Sequence, residues 1–185
     1  MSSNNNIPVH AIWLAQDDPK KNTAVRLSKR GDLHLHEKFN RLPRRGIILE
    51  PLCGKVLGPE DHSLLTEDRG ALVGLDCSWA QIEESVSQVM QRTNLIGRML
   101  PLLLAANPVN WGKPSKMTTA EALAASLYLV GREEQARQLL SAFRWGEQFF
   151  ILNKEPLEAY REAKSSAELV DLQFEFFDIP RSEID

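Results

Sequence analysis

Two apolar runs, each closed by a polar, turn-forming cluster, constrain this chain most. The first ends as Leu75-Asp76-Cys77-Ser78-Trp79. The second, Leu100-Pro101-Leu102-Leu103-Leu104-Ala105-Ala106, closes in Asn107-Pro108-Val109-Asn110-Trp111-Gly112. Continuous apolar runs of this kind read as elements covered on both sides. In α/β folds, the polar residues just beyond such strands are where ligands bind. A carboxylate, an indole and an Asn-Pro loop at neighbouring strand ends therefore point to a pocket.

The flanking segments fit that class. Val9 to Ala15 predicts a strand, and the polar loop after it leads to Thr23, placed to cap a short helix through Lys29 that ends at Gly31. Leu33-His34-Leu35-His36 alternates like a half-buried strand, and Ile47-Ile48-Leu49 and Ala71 to Leu75 read as further strands. Ala80 to Arg92 carries Ile82, Val86, Val89 and Met90 at near-helical spacing. Leu100 to Ala106 fits either a strand or a buried helix. Beyond Pro114 the texture is helical. Thr118 to Glu121 is a capping-box pattern, its helix stops at Gly131, and four more helices follow: Glu133 to Phe143, Trp145 to Leu152, Pro156 to Lys164 and Ala167 to Phe177. The expected organisation is a polar N-terminus over 1–8, an α/β domain over 9–98 and a mostly helical domain over 99–185.

Composition narrows the function classes. With 43% hydrophobic and 25% charged residues the chain reads as an ordinary globular protein. No apolar run approaches the roughly 20 residues that span a membrane. Met1 to Asn6 shows no basic-plus-apolar signal pattern. Cys53 and Cys77 are the only cysteines, too few for a disulfide framework or a four-ligand zinc site, so a cytoplasmic setting is expected. Asp17 to Lys55 holds ten Lys or Arg against five acids, whereas Glu158 to Asp185 holds eight acids against three bases. The basic half is suited to phosphates, although an ordinary solvated surface explains the counts equally well.

No Gly-x-Gly-x-x-Gly follows a strand and no Gly-Lys-Ser/Thr loop exists, which argues against Rossmann dinucleotide enzymes and P-loop nucleotidases. His34 and His36 share a strand face, but a third metal ligand is not evident, and two surface histidines are the favoured reading. Asp76 has two readings of equal weight. Either it caps the following helix, a task open to Ser78 as well, or it orients or deprotonates a substrate. Trp79 on local grounds is a core residue. The Asn107 to Gly112 loop is either a plain turn or a rigid frame whose main-chain groups read an adenine edge.

Four strings carry a resemblance: DPKKNT (18–23), LDCSWA (75–80), LPLLLAANPVNWGKPSKMTTAEALAA (100–125) and FRWGEQFFILNKEPLEAY (143–160). In this order they resemble the ribosome-biogenesis small-subunit rRNA aminocarboxypropyltransferases, the Tsr3 family, in a compact archaeal form. The resemblance covers nearly the whole chain after the polar N-terminus. It implies an α/β fold with a SPOUT-like, trefoil-knotted N-terminal domain and a mostly parallel sheet, followed by an all-α C-terminal domain that completes the cofactor site. It implies S-adenosylmethionine as co-substrate and no metal. The 3-amino-3-carboxypropyl group would pass to N3 of a 1-methylpseudouridine in small-subunit rRNA, releasing methylthioadenosine. By resemblance, Asp76 is the candidate base, Trp79 and Ile82 wall off the methyl group, and Leu75 meets the ribose through its carbonyl. Leu100 and Ser115 hold the adenine through main-chain groups, and Thr23 and Thr119 meet the amino acid part. Lys20, Lys21, Arg26, Lys29, Arg30, Arg41, Arg44 and Arg45 would face rRNA or a pre-ribosomal subunit. A monomer without membrane attachment is expected. Trp111 stands where the family usually has Tyr, Ser115 where an aromatic is common, and Asn22 where a small residue is usual, the last read as neutral. A knotted RNA methyltransferase and a non-catalytic RNA-binding assembly factor are the alternative readings.

Overall fold

A computed structural model of the chain describes residues 5–14, 18–77 and 79–181, residue 79 by its backbone alone. Expectations for residues 1–4, for Ala15, for Ser78 and for the Trp79 side chain lie outside the described residues.

Five strands, β1 (Val9–Trp13), β2 (His34–His36), β3 (Arg45–Leu49), β4 (Ala71–Asp76) and β5 (Asn94–Arg98), form one sheet in the order β2-β1-β4-β3-β5. Every pairing is parallel. Eight helices are described: α1 (Thr23–Arg30), α2 (His62–Thr66), α3 (Ile82–Arg92), α4 (Thr119–Leu129), α5 (Glu133–Leu140), α6 (Gly146–Leu152), α7 (Lys154–Glu162) and α8 (Ser166–Phe176).

The central strands β3 and β4 read as near-continuous apolar runs because both sheet faces are covered there. Val9, Ala11, Ile47, Leu49 and Leu72 belong to a large core shared with α1 and α4 to α8. Ile12, Ile48 and Val73, their alternates, belong to a smaller core with Val89 of α3 and Leu95. The helix α4 seats directly on β4. A Cβ on Gly74 would lie 2.9 Å from the Thr119 methyl and 3.4 Å from Leu123, so the missing side chain is what lets the helix approach.

The expectation of a SPOUT-like, knotted first domain followed by an all-α second one is corrected here. The helical half is not a body of its own: its apolar faces and the strands share one core. What forms is a single mixed α/β unit around a five-stranded parallel sheet. Leu100 to Ala106 is neither of the elements expected. It runs extended without joining a ladder, apart from an isolated bridge of Leu104 to Pro114. Side chains from the helical half satisfy the backbone of Leu102 and Leu104. Asn153 accepts from the Leu104 N–H at 2.7 Å and donates to its carbonyl at 2.9 Å. Gln173 accepts from the Leu102 N–H at 2.7 Å, and the Tyr160 hydroxyl donates to the Leu102 carbonyl at 3.0 Å.

Candidate functional site

Beyond the carboxyl ends of β3, β4 and β5 the described surface opens into a crevice with two lobes. The first, of about 320 Å³, is mainly apolar and lies between Leu49, Met99, Leu100, Ser115 and Ala122. The second, of about 300 Å³, is polar and is lined by Lys21, Asn22, Thr23, Asp76, Cys77 and Ile82. Pro51, Leu75, Met117, Thr118 and Thr119 border both. Each lobe is of the size of small-molecule sites, about 300–1,000 Å³.

The elements explain why these residues meet. Asp76 is the last residue of β4, paired with Trp13 of β1. A 3₁₀ turn over Trp79–Gln81 follows, and α3 begins at Ile82 with Gln81, not Asp76, in its N-cap position. Its carboxylate instead accepts from the Asn22 side-chain NH2 at 2.8 Å. Asn22, not Thr23, caps α1: its carbonyl oxygen accepts from the Val25 N–H at 2.9 Å. The Thr23 hydroxyl is left to accept from the Ala120 N–H at 3.2 Å, which ties the amino ends of α1 and α4 together. Both helix starts thus border the polar lobe, where their partial positive charge and Lys21 favour a negative group.

Glu121 fixes the other wall. This fully buried carboxylate in α4 accepts from the Thr118 N–H at 2.7 Å and its hydroxyl at 2.9 Å, closing the capping box. It also accepts from Ala106 and Asn107 N–H at 2.6 and 3.1 Å and from the Asn107 side chain at 2.9 Å. The Asn107 to Gly112 turn is thereby pinned to the start of α4. The chain then descends through Ser115, held in the left-handed region at φ 56°, a conformation that costs about 1–3 kcal/mol and concentrates at ligand-binding walls.

Seven of the eight residues expected to handle substrate and cofactor line the crevice. Leu75, Leu100, Ser115 and Thr119 border the apolar lobe, and Thr23, Asp76 and Ile82 the polar one. For the eighth, Trp79, the side chain is outside the described residues. The eight basic residues are not gathered in the same way. Lys21 lines the polar lobe just before α1, with Lys20 preceding it in the chain, whereas Lys29 and Arg30 close that helix. Arg44 and Arg45 sit at the amino end of β3, roughly 13 Å along the strand from its crevice end. Arg30 pairs with Asp32 and donates to the Gln138 carbonyl, and Arg26 lies 5.1 Å over the Phe143 ring. Arg41 is exposed in a short 3₁₀ turn.

Glu50 and Arg98 line the crevice without a sequence signal. Glu50, buried at the end of β3, accepts from the Leu52 N–H at 2.7 Å and faces the apolar lobe. Arg98 closes β5 and forms a two-point ion pair with buried Asp61, both contacts 2.9 Å. Burial raises the Cys77 thiol, offset in part by a hydrogen bond with Ser85, so Cys77 stays a neutral thiol and is unsuited as a nucleophile. On β1, His10 joins His34 and His36. Its Nδ1 lies 2.9 Å from His36 Nε2, and burial first, then the two neighbours, lowers it to about 4. Among the described residues no group of His, Cys, Asp or Glu has an arrangement suited to a metal, and no described helix is long and apolar enough to cross a membrane.

Comparison with known proteins covers most of the chain. The family model described as "Ribosome biogenesis protein, C-terminal" matches residues 47–177. A 16S rRNA aminocarboxypropyltransferase of Methanosarcina acetivorans is 40% identical over 172 residues, spanning 93% of this chain and 95% of that protein. One of Methanopyrus kandleri is 44% identical over 159 residues, 86% of this chain and 92% of that protein. The solved structure of the SAM-dependent rRNA:acp-transferase Tsr3 from Vulcanisaeta distributa superposes with a TM-score of 0.79 at 37% identity, covering 92% of this chain and 89% of that one. The likeness is to that fold as a single unit, and it carries neither the SPOUT assignment nor the knot.

Proposed function

This chain belongs to the family of 16S rRNA aminocarboxypropyltransferases, and from that membership we propose that it transfers the 3-amino-3-carboxypropyl group of S-adenosylmethionine to N3 of a 1-methylpseudouridine in small-subunit rRNA. The observation that carries the reading is the division of the crevice into an apolar lobe and a polar lobe that meet at Leu75 and Thr119. S-adenosylmethionine has the same division. Its adenosine suits the apolar lobe, with Leu100 and Ser115 offering main-chain groups to the base and Leu75 offering its carbonyl to the ribose. Its α-carboxylate suits the amino ends of α1 and α4 beside Lys21, with Thr23 and Thr119 at hand.

The transfer is a displacement. The uracil N3 attacks the carbon next to the sulfonium, the C–S bond breaks, and sulfur leaves with its electron pair as methylthioadenosine. The N3 proton must depart, and Asp76 at the polar lobe is the carboxylate in place to take it or to polarise it, a task worth about 10²–10⁴-fold. Selectivity among the three carbons on sulfur is positional. Ile82, buried at the first turn of α3, and Trp79 are assigned to wall off the methyl group. Exposed Lys20, Lys21 and the other basic residues named above would meet RNA phosphate. The protein is read as a monomer of the cytoplasm, where free Cys53 and Cys77 suit a reducing milieu.

Mass spectrometry of the small product after incubation with S-adenosylmethionine and a hairpin RNA carrying the modified uridine tests the proposal. Methylthioadenosine is expected. S-adenosylhomocysteine would make the protein a methyltransferase. No product, with no heat of S-adenosylmethionine binding, would leave an RNA-binding assembly factor.

A further inference from the structure

We propose that the hairpin carrying Trp111 is a stacking platform for an unpaired base of the substrate RNA, an inference that rests on the function just proposed. The segment from Leu103 to Ser115 folds back on itself. The Ser115 N–H donates to the Leu103 carbonyl at 3.0 Å, Ala105 to Lys113 at 3.0 Å and Gly112 to Ala105 at 2.7 Å. Its tip is closed by the Asn110 N–H donating to the Asn107 side-chain oxygen at 3.0 Å, and Glu121 anchors its base. The tip is therefore built, not loose.

That rigid tip holds its large apolar side chains out to solvent: Val109 is 83% and Trp111 52% exposed. A half-exposed indole on a firmly bonded turn contributes little to the core. It presents a π-face that has two side-chain torsions to fix, which is the design of base-stacking platforms. The charge around it points to one class of partner. From Asn107 to Met117 the chain has Lys113 and Lys116 and no acid, and both lysines are exposed. One indole and one valine are far too little area for a stable protein interface, whereas one aromatic with nearby lysines is enough to hold a splayed nucleotide. The platform also adjoins the crevice, because two residues beyond Lys113 the chain reaches Ser115 in its wall.

Fluorescence anisotropy with the modified hairpin RNA, across a salt series, tests this. Trp111→Ala is expected to raise the RNA Kd about five- to a hundredfold, with the same salt dependence as wild type. Trp111→Tyr should stay within about twofold of wild type. The S-adenosylmethionine Kd and the Tm of Trp111→Ala should not move. Lys113→Ala should instead lower the slope of log Kd against log salt by about one. An unchanged RNA Kd in Trp111→Ala, or a loss that travels with the Tm or with S-adenosylmethionine affinity, overturns the platform while the enzyme reading stands. A wild-type protein that does not bind the hairpin overturns both.

Discussion

Asn22 uses both ends of its amide: the carbonyl caps α1, and the NH2 holds the Asp76 carboxylate from 54 residues away. The sequence read it as neutral because a hydrogen bond between a loop and a distant strand end leaves no local pattern. Asp76, by contrast, was legible, since a carboxylate closing a buried apolar run is itself a signal. The other residues given a role at the site were legible only through the family resemblance, and Arg98 and Met99 of the lining not at all. Glu50 and Asn22, which sit outside any recognised role, were not legible either. Asn22→Ala is expected to cost about 1 kcal/mol in urea unfolding, the worth of an N-cap, and to lower turnover with the S-adenosylmethionine Kd unchanged. Asn22→Asp retains an acceptor for Val25 but opposes two carboxylates, so the acid limb of its pH–turnover profile should move to higher pH. Asp76→Asn should lower turnover at nearly constant cofactor affinity. A tenfold loss of affinity, about 1.4 kcal/mol, would make Asp76 a binding residue instead.

Among the elements, the strands β1 to β4 and the helices beyond Thr118 follow from periodicity and capping signals, with ends displaced by up to three residues, the most at α5, which stops at Leu140 and not Phe143. β5 escaped notice because Asn94 to Arg98 is short, polar at both ends and broken by Gly97. The stretch after it was ambiguous for a deeper reason. Many of its backbone partners are side chains distant in sequence, Glu121, Asn153, Tyr160 and Gln173, and no periodicity records a partner of that kind. Asn153 is the firmest of these clamps, with three hydrogen bonds and no exposed surface. Asn153→Leu leaves the part-buried Leu104 N–H and carbonyl without these partners, and calorimetry should show a loss of about 1–3 kcal/mol. Between β1 and β2, His10 is held neutral to about pH 4, and His36 and His62 are lowered as well, each by burial first. An unfolded histidine binds its proton near pH 6.5, so the unfolded chain takes up protons that the folded one refuses. Stability should be complete above about pH 6.5 and should fall as the pH drops towards 4. Urea midpoints at pH 7.5 and 5.0 check this, and the difference should shrink in His10→Gln.

For the molecule as a whole, the division into an α/β half and a helical half does not hold as architecture. Composition changes near Pro114, but α4 lies on β4 through the gap at Gly74 and the two halves share one core. Gly74→Ala should therefore do more than stiffen a strand. It should push α4 away from the sheet, lower the Tm and weaken S-adenosylmethionine binding together, because Thr119 borders both lobes. The charge asymmetry read along the chain also changes meaning in three dimensions, since Lys21 lines the crevice and Arg44 and Arg45 lie at the opposite end of the sheet. The central claim is that this crevice turns the long chain of the sulfonium, and not its methyl group, towards the RNA. Two samples of S-adenosylmethionine, one labelled in the carboxyl carbon and one in the methyl, decide it. Carboxyl label should enter the hairpin RNA in step with turnover and methyl label should stay with the released thioether. Methyl label in the RNA would contradict the account.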